Sequence, residues 1–564
     1  MSAATPAASR SLRAPGEQLG VPVAIALLAG LAVGLPVAGV FASFFGGEAT
    51  ADTLRHLAAT VIPRAALESA LLSLMVVCGV VVLGAPAAWL VAAHEFPGRR
   101  LFEWALLLPL AMPAYIVAYA YTDFLQYAGP LQSALRESFQ WGRGDYWFPE
   151  VRSLPGAACV FAAVLYPYVY LLARTAFLTR TAAMADAARA LGLSAFQAWW
   201  RVSLPLARPA IVAGALLALM ETLADYGAAQ YFGLQTFTTS IYRAWFSLGD
   251  RAAASQLAAV LLVVVLFIVW AEARARGRSR FFTPTTSQRP APRTALSGAR
   301  AGLAVLACTL PVVAGFVAPV ILLVRLLVPA WGVVPWERYV AWLANTVFIA
   351  LVAAIVALVA VLLLAYSARS VTRGLPKVLV QAAVRVMSLG YAVPGAVIAV
   401  GILIPLAALD RSLDGWARNL IGVGTGLLLT GSVFALLYGY LVRYFAVAHQ
   451  SVDAGLARIT PAMDASSRSL GAGPWETFRR VHLPILAPSA LAAGLLVFVD
   501  VMKELPATLV LRPFNFDTLA VVAYQFAADE RLGEAAAPSL AIVAAGVLPV
   551  ILLSRAIARA SGPQ

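Results

Sequence analysis

The sequence predicts an all-α polytopic membrane protein, with about twelve transmembrane helices in two homologous six-helix halves. Three observations predict it. Hydrophobic residues make up 61% of the 564 and charged residues 12%, against about 45–50% and about 25% in soluble chains. The apolar residues gather in blocks of about 20 or more, the length that crosses a hydrocarbon core as a helix. A set of polar residues also recurs at one constant offset along the chain.

The blocks follow in order. Residues 21–45 carry no charge and exceed the usual apolar stretch of a signal peptide, so they are expected to stay as a first helix. Residues 67–93 carry only Glu68, near one end. The stretches 104–122, 155–173, 252–271, 302–324, 341–368, 386–409, 419–442 and 535–554 are uncharged. Two more, 209–233 and 485–511, are apolar but hold ionisable residues. Helices are expected throughout, because lipid offers backbone polar groups no water. The blocks do not alternate as barrel strands would. Cys78, Cys159 and Cys308 sit in apolar spans without a pairing motif, and are expected to be small buried hydrophobes, with no disulfide or zinc site.

The net charge of +14 does not point to nucleic acid. Arg10 and Arg13 precede the first span, Arg99 and Arg100 follow the second, and Arg274, Arg276, Arg278, Arg280, Arg289, Arg293 and Arg300 fill the central connection. Arg369, Arg373 and Lys377 follow the eighth span, and Arg555 and Arg559 the twelfth. With alternating helices these all fall on one side. Basic loops stay cytoplasmic, so both termini are expected inside. The chain divides into a first half (1–276), a basic linker rich in Arg, Pro, Ser and Thr (277–301) and a second half (302–564).

The repeat lies in two predicted cytoplasmic loops. One reads Asp186-Ala-Ala-Arg-Ala-Leu-Gly192 and then Arg201-Val-Ser-Leu-Pro205; the other reads Asp464-Ala-Ser-Ser-Arg-Ser-Leu-Gly471 and then Arg480-Val-His-Leu-Pro484. The glycines differ by 279 (471 − 192), and so do the prolines (484 − 205). Each glycine can take positive φ and end a helix. Each proline can open the next span, where a missing N–H costs little. Aromatic residues between them, Phe196, Trp199 and Trp200 in one copy and Trp475 and Phe478 in the other, give each loop an apolar face suited to a groove on another protein.

This spacing resembles the EAA loop of binding-protein-dependent ABC importers, over both halves. The resemblance implies the type I ABC importer permease fold in a bacterial inner (plasma) membrane. It implies coupling loops built on Asp186, Ala187, Ala188, Gly192, Pro205, Asp464, Gly471 and Pro484. It implies two copies of a cytoplasmic ABC ATPase that carry the ATP-Mg, and a periplasmic substrate-binding protein. In the second copy Ala465 stands at the position of Asp186, with Asp464 one residue earlier and Ser466 and Ser467 in place of the alanines. No Gly-Lys-Ser/Thr run exists, and the only lysines are Lys377 and Lys503. ATP hydrolysis is expected on a separate subunit, and this chain is expected to be a transport subunit with no cofactor of its own.

Ionisable residues repeat as well. Glu221 and Asp225 match Asp500 and Glu504 at the same offset (500 − 221 and 504 − 225), with Lys503 beside them. Each acidic pair is spaced i, i+4, which predicts one face of one continuous helix. Charges at membrane depth belong on a water-filled path or against each other. These five are therefore the candidate translocation path, or else ion pairs that hold the pore. A metal ligand set cannot be read from them.

Longer stretches resemble ferric-iron-type permeases: Glu221-Thr-Leu-Ala-Asp-Tyr-Gly227, Thr236-Phe-Thr-Thr-Ser-Ile-Tyr242, Tyr391-Ala-Val-Pro-Gly395, the run from Val501 to Pro513, and Phe516-Asp-Thr-Leu-Ala520. Thiamine, polyamine, sulfate and phosphonate permeases share the architecture and remain alternatives. A secondary transporter would also have two such halves, but no reason to repeat these loops. The four histidines, His56, His94, His449 and His482, are scattered and suggest no catalytic cluster.

Overall fold

The computed structural model describes residues 20–42, 44, 48–142, 144–178, 190, 192–277, 293–371 and 374–560. They are helical almost throughout. The first half contains α1 (Gly20–Ala42), α2 (Glu48–Thr60), α3 (Ile62–Ala93), α4 (Arg99–Ala105), α5 (Ala114–Leu125), α6 (Pro130–Phe139) and α7 (Leu154–Leu178). It continues with α8 (Ala195–Ala198), α9 (Leu204–Ala224), α10 (Gly227–Tyr231), α11 (Phe237–Tyr242) and α12 (Arg251–Gly277). The second half contains α13 (Gly298–Val312), α14 (Ala318–Ala330), α15 (Trp336–Ser370), α16 (Gly374–Leu389), α17 (Gly395–Ile421) and α18 (Val433–Leu456). It ends with α19 (Pro461–Ser469), α20 (Pro474–Thr477), α21 (Leu483–Met502), α22 (Pro506–Leu511), α23 (Leu519–Ala528) and α24 (Leu532–Ala560). Among the described residues the sheet content is one two-residue parallel pairing, His94–Glu95 with Thr294–Ala295. It fastens the far end of the linker beside the loop after α3.

The duplication is visible in the elements. The starts of α7 and α18, of α9 and α21, and of α10 and α22 are each 279 residues apart (433 − 154, 483 − 204 and 506 − 227). A π turn precedes α9 at Trp199–Ser203 and α21 at Phe478–His482, again at that offset (478 − 199).

The spans differ from the expected twelve. Ten described helical stretches are long and apolar enough to cross a membrane, and Arg99–Ala111 with Ala114–Phe139 makes an eleventh if its 90° bend is counted within one span. The expected third span, 104–122, is thus broken, at Met112–Pro113, because a proline disfavours helix in the residue before it. The expected ninth, 386–409, is broken likewise between α16 and α17, before Pro394. The expected tenth, 419–442, is displaced. The helix starts only at Val433, after a loop in which Gly422, Gly426 and Gly431 have positive φ. Asp410 ties that loop to α17 by accepting the N–H groups of Leu428, Leu429 and Thr430. The resulting α18 is 24 residues long but is not among the ten apolar spans. The expected fifth and eleventh spans, 209–233 and 485–511, break after Ala224 and Met502. Of the cysteines, only Cys308 is buried; Cys78 and Cys159 are exposed.

Packing crosses between the halves. α1 lies against α15, α16 and α17, while α14 lies against α5 and α24. Two apolar cores result. One joins α3, α5 and α7 to α13, α14 and α24; the other joins α1 and α12 to α15, α17, α18 and α21. Lipid gives no hydrophobic drive to helix pairing, so small residues must let backbones approach closely. The crossing of α1 and α17 meets this condition: a Cβ on Gly39 would lie 2.6 Å from the Gly401 carbonyl oxygen, and one on Gly401 would lie 2.2 Å from that of Pro36. Gly401→Leu is expected to force the two helices apart and lower thermal stability in detergent, by about 1–3 kcal/mol for an overpacked contact. An unchanged melting temperature would contradict this crossing.

Candidate functional site

The breaks in the two acidic spans create the site. α9 ends at Ala224, and Asp225 already has extended backbone (φ −72°, ψ 135°). Its carboxylate accepts the N–H groups of Ala228 at 2.8 Å and Ala229 at 3.2 Å, and so caps α10. Glu504 does the same in the other half. It accepts the N–H of Ala507 at 2.8 Å and that of Thr508 at 2.9 Å, and also the Thr508 hydroxyl, and so caps α22. The two caps are 279 residues apart, as are the first N–H groups they receive (507 − 228). A helix start leaves four N–H groups without intrahelical partners, and a carboxylate there also meets the positive end of the helix dipole. The expectation that each acidic pair shares one helix face is therefore corrected. The helix ends between Glu221 and Asp225, and between Asp500 and Glu504.

All five expected pathway residues line one cavity of about 120 Å³, together with Tyr115, Tyr168, Tyr391, Arg443 and Tyr444. Glu221 accepts the Tyr391 hydroxyl at 2.9 Å. Lys503 pairs with Asp500 at 3.0 Å. The Tyr444 hydroxyl donates to the Asp500 carbonyl at 3.2 Å. Arg443 enters from α18, its Nη1 4.0 Å from Glu504. Gly395 makes room for it, since a Cβ there would lie 2.5 Å from Nη1. Nearby, Tyr226 stacks on Tyr242 at 3.8 Å, accepts a hydrogen bond from Tyr524 at 3.2 Å, and so joins the two halves. The Tyr242 hydroxyl donates to the Pro506 carbonyl. Sequence reasoning missed Arg443 because it lies one residue beyond the uncharged run 419–442. Tyr391 was part of a noted segment, but nothing local gave it a partner 170 residues away.

The loops lie at the opposite ends of the same two helices. α9 has 21 residues and α21 has 20, so each spans about 30 Å between loop and cavity. Gly192 and Gly471 have φ of +71° and +80°, the left-handed conformation that a glycine after a helix supplies. Pro205 and Pro484 are the second residues of α9 and α21. Asp186, Ala187 and Ala188 lie outside the described residues. In the second loop Leu470, outside the membrane-crossing stretches, is 86% exposed, and Trp475, the first residue of such a stretch, is 70% exposed.

Asp464 is bound within the chain. Its Oδ2 accepts from Arg369 Nη2 at 2.6 Å and Nε at 3.1 Å, and its Oδ1 lies 2.7 Å from His482 Nε2. The second loop is thereby anchored to the end of α15 and to the π turn before α21. At the matching positions of the first copy stand Leu90, Ala185 and Ser203, so these three residues are not repeated in the sequence. Partial burial raises the Asp464 pKa, but hydrogen bonds from Arg369 and His482 outweigh it and hold the carboxyl below its ordinary value of 3.8. A depressed carboxylate contributes stability above its unfolded pKa and loses it as pH falls through the folded one. Asp464→Asn is expected to lower thermal stability at neutral pH, by about 1.5–3 kcal/mol for hydrogen bonds to a charged group. The difference from the parent is expected to shrink below about pH 4, where the parent carboxyl also protonates. Equal melting at neutral pH would contradict the anchor.

Residues 80–274 match the family described as binding-protein-dependent transport system inner membrane component. The chain is 24% identical over 489 residues to the Fe(3+)-transport system permease protein FbpB 2 of Haemophilus influenzae, covering 86% of this chain and 88% of that protein. It is 24% identical over 557 residues to the probable ABC transporter permease protein y4fN of Sinorhizobium fredii, covering 92% of each. It is 31% identical over 144 residues to the putative 2-aminoethylphosphonate transport system permease protein PhnV of Salmonella typhimurium, covering 24% of this chain and 54% of that protein. The family match thus covers residues 80–274, and over most of its length the chain is similar to an Fe(3+)-transport permease and to a probable ABC transporter permease.

Proposed function

We propose that this permease imports ferric iron handed over by a periplasmic binding protein, and that two copies of a cytoplasmic ABC ATPase drive it. The observation that carries the iron reading is the length of the match. The Fe(3+)-transport relative aligns over 86% of the chain, whereas the 2-aminoethylphosphonate relative aligns over 24%. The chemistry of the cavity supports it. Carboxylates and tyrosine hydroxyls are hard oxygen donors, suited to a small, highly charged cation. Among the described residues no group of three or more His, Cys, Asp or Glu is arranged to hold a metal ion. A site of spread donors suits an ion that must leave again.

In this reading both termini and the two glycine loops are cytoplasmic, as the basic connections favour. The ATPases grip the loops around Gly192 and Gly471, with Asp186, Ala187 and Ala188 on the first loop. Asp464 serves its own loop instead of the motor. Closure of the ATPases on ATP-Mg moves the loops. α9 and α21 carry that motion to the cavity, where Glu221 and Asp500 face the cargo while Asp225 and Glu504 hold the broken helices. Binding-protein docking on the opposite face loads the cavity when it opens outward.

The decisive experiment reconstitutes the permease with its ATPase in vesicles and supplies an iron-loaded binding protein. Iron uptake is expected to require ATP and to survive an ionophore; loss with the ionophore alone would point to a secondary transporter. Gly192→Pro or Gly471→Pro is expected to abolish uptake while membrane levels stay unchanged, because proline fixes φ near about −65°. Normal uptake by either would remove the coupling role. Glu221→Ala combined with Asp500→Ala is expected to cut uptake at least about tenfold, through the loss of intramembrane charges. Unaltered uptake would take these two residues off the path.

A further inference from the structure

The cavity carries side chains of both charges. Four carboxylates and two cations line it, and most are already committed. Asp225 and Glu504 cap helices. Asp500 is paired with Lys503. Glu221 keeps acceptor capacity beyond the Tyr391 hydroxyl. Arg443 stands apart. It is 8% exposed, and its Nε and Nη1 have no hydrogen-bond partner among the described residues. Glu504 sits 4.0 Å from Nη1, but its oxygens already accept three hydrogen bonds from Ala507 and Thr508. The Tyr115 hydroxyl, on the same lining, is also buried and unpartnered among the described residues. Buried donors normally find acceptors. A guanidinium with unspent donors in a cavity is a receptor for planar or tetrahedral oxyanions.

We propose that Arg443 receives a small oxyanion that travels with the ferric ion, so that the cargo crosses as an ion pair and not as a bare cation. The inference rests on the ferric reading above. Glu221, Asp500 and the other tyrosine hydroxyls face the metal, and Arg443, with the Tyr115 hydroxyl on the same lining, takes the oxyanion oxygens. A trivalent ion alone would have to be neutralised by carboxylates that are already spent on the helix breaks. An accompanying anion lowers the charge that must cross and fills the donors of Arg443. Gly395 is part of the same device, because any side chain there would push the guanidinium aside.

The test uses the intact transporter in vesicles, with ATP enclosed, and a binding protein loaded with radioactive iron in the presence of radioactive inorganic phosphate. Phosphate is expected to enter with iron at a fixed ratio, and not from an iron-free binding protein. Arg443→Gln is expected to cut the entry of both at least about tenfold, a loss of about 1.4 kcal/mol or more, with Arg443→Lys intermediate. Arg443→Gln combined with Glu504→Gln is expected to stay impaired. Size-exclusion elution like that of the parent controls for folding, and the iron-to-phosphate ratio in the parent needs no variant at all. Iron entry without phosphate would overturn the inference. So would equal phosphate entry without iron, which would make the oxyanion itself the cargo. Recovery of iron uptake in the double variant would also overturn it, by reducing Arg443 to a counter-charge for Glu504. Absence of iron uptake by the parent would instead sink the ferric reading, and this inference with it.

Discussion

Two helix breaks, after Ala224 and after Met502, govern the rest of the molecule. Lipid cannot satisfy a free N–H or C=O, so a broken helix is tolerated only where protein or water supplies partners. Asp225 and Glu504 supply them, each by capping the short helix that follows. A carboxylate there is costly unless something polar surrounds it. The cavity is the consequence. Tyr391, Arg443, Lys503 and the remaining acids gather where the two breaks meet. Discontinuous helices at the junction of repeated halves are how transporters build a path near mid-membrane.

The same two helices that break at one end carry the glycine loops at the other. α9 and α21 are uninterrupted between these features, so a displacement of the loops has a stiff route to the cavity. The two routes differ in sequence. The second loop is tied to α15 through Arg369 and Asp464 and to its own π turn through His482, while the first lacks these residues. The crossing of α1 onto α16 and α17, and of α14 onto α5, adds a further constraint. Neither half can move without dragging a helix of the other.

Much of this was legible in the sequence. Apolar runs gave the helices, and the offset of 279 gave the duplication. Gly192 and Gly471 do take positive φ, Pro205 and Pro484 do open the next helices, and the five ionisable residues do meet. What escaped was whatever depends on partners distant in sequence. A hydropathy window does not register that Asp225 prefers to cap α10 over continuing α9, so two broken helices read as continuous. Arg443 sat just past an uncharged run, and its relevance comes from Gly395 and Glu504 on other segments. The Arg369–Asp464 contact joins residues 95 apart. The exchange of first helices leaves no trace in a one-dimensional repeat.

The central claim is that the space between the two helix breaks is the path and that it opens to alternate sides. The direct measurement introduces Glu221→Cys after replacement of the three native cysteines, and labels the reconstituted complex with a membrane-impermeant thiol reagent from each side. Labelling is expected from one side without ATP and from the other in an ATP-trapped state. Labelling from one unchanging side, or from neither, would contradict it.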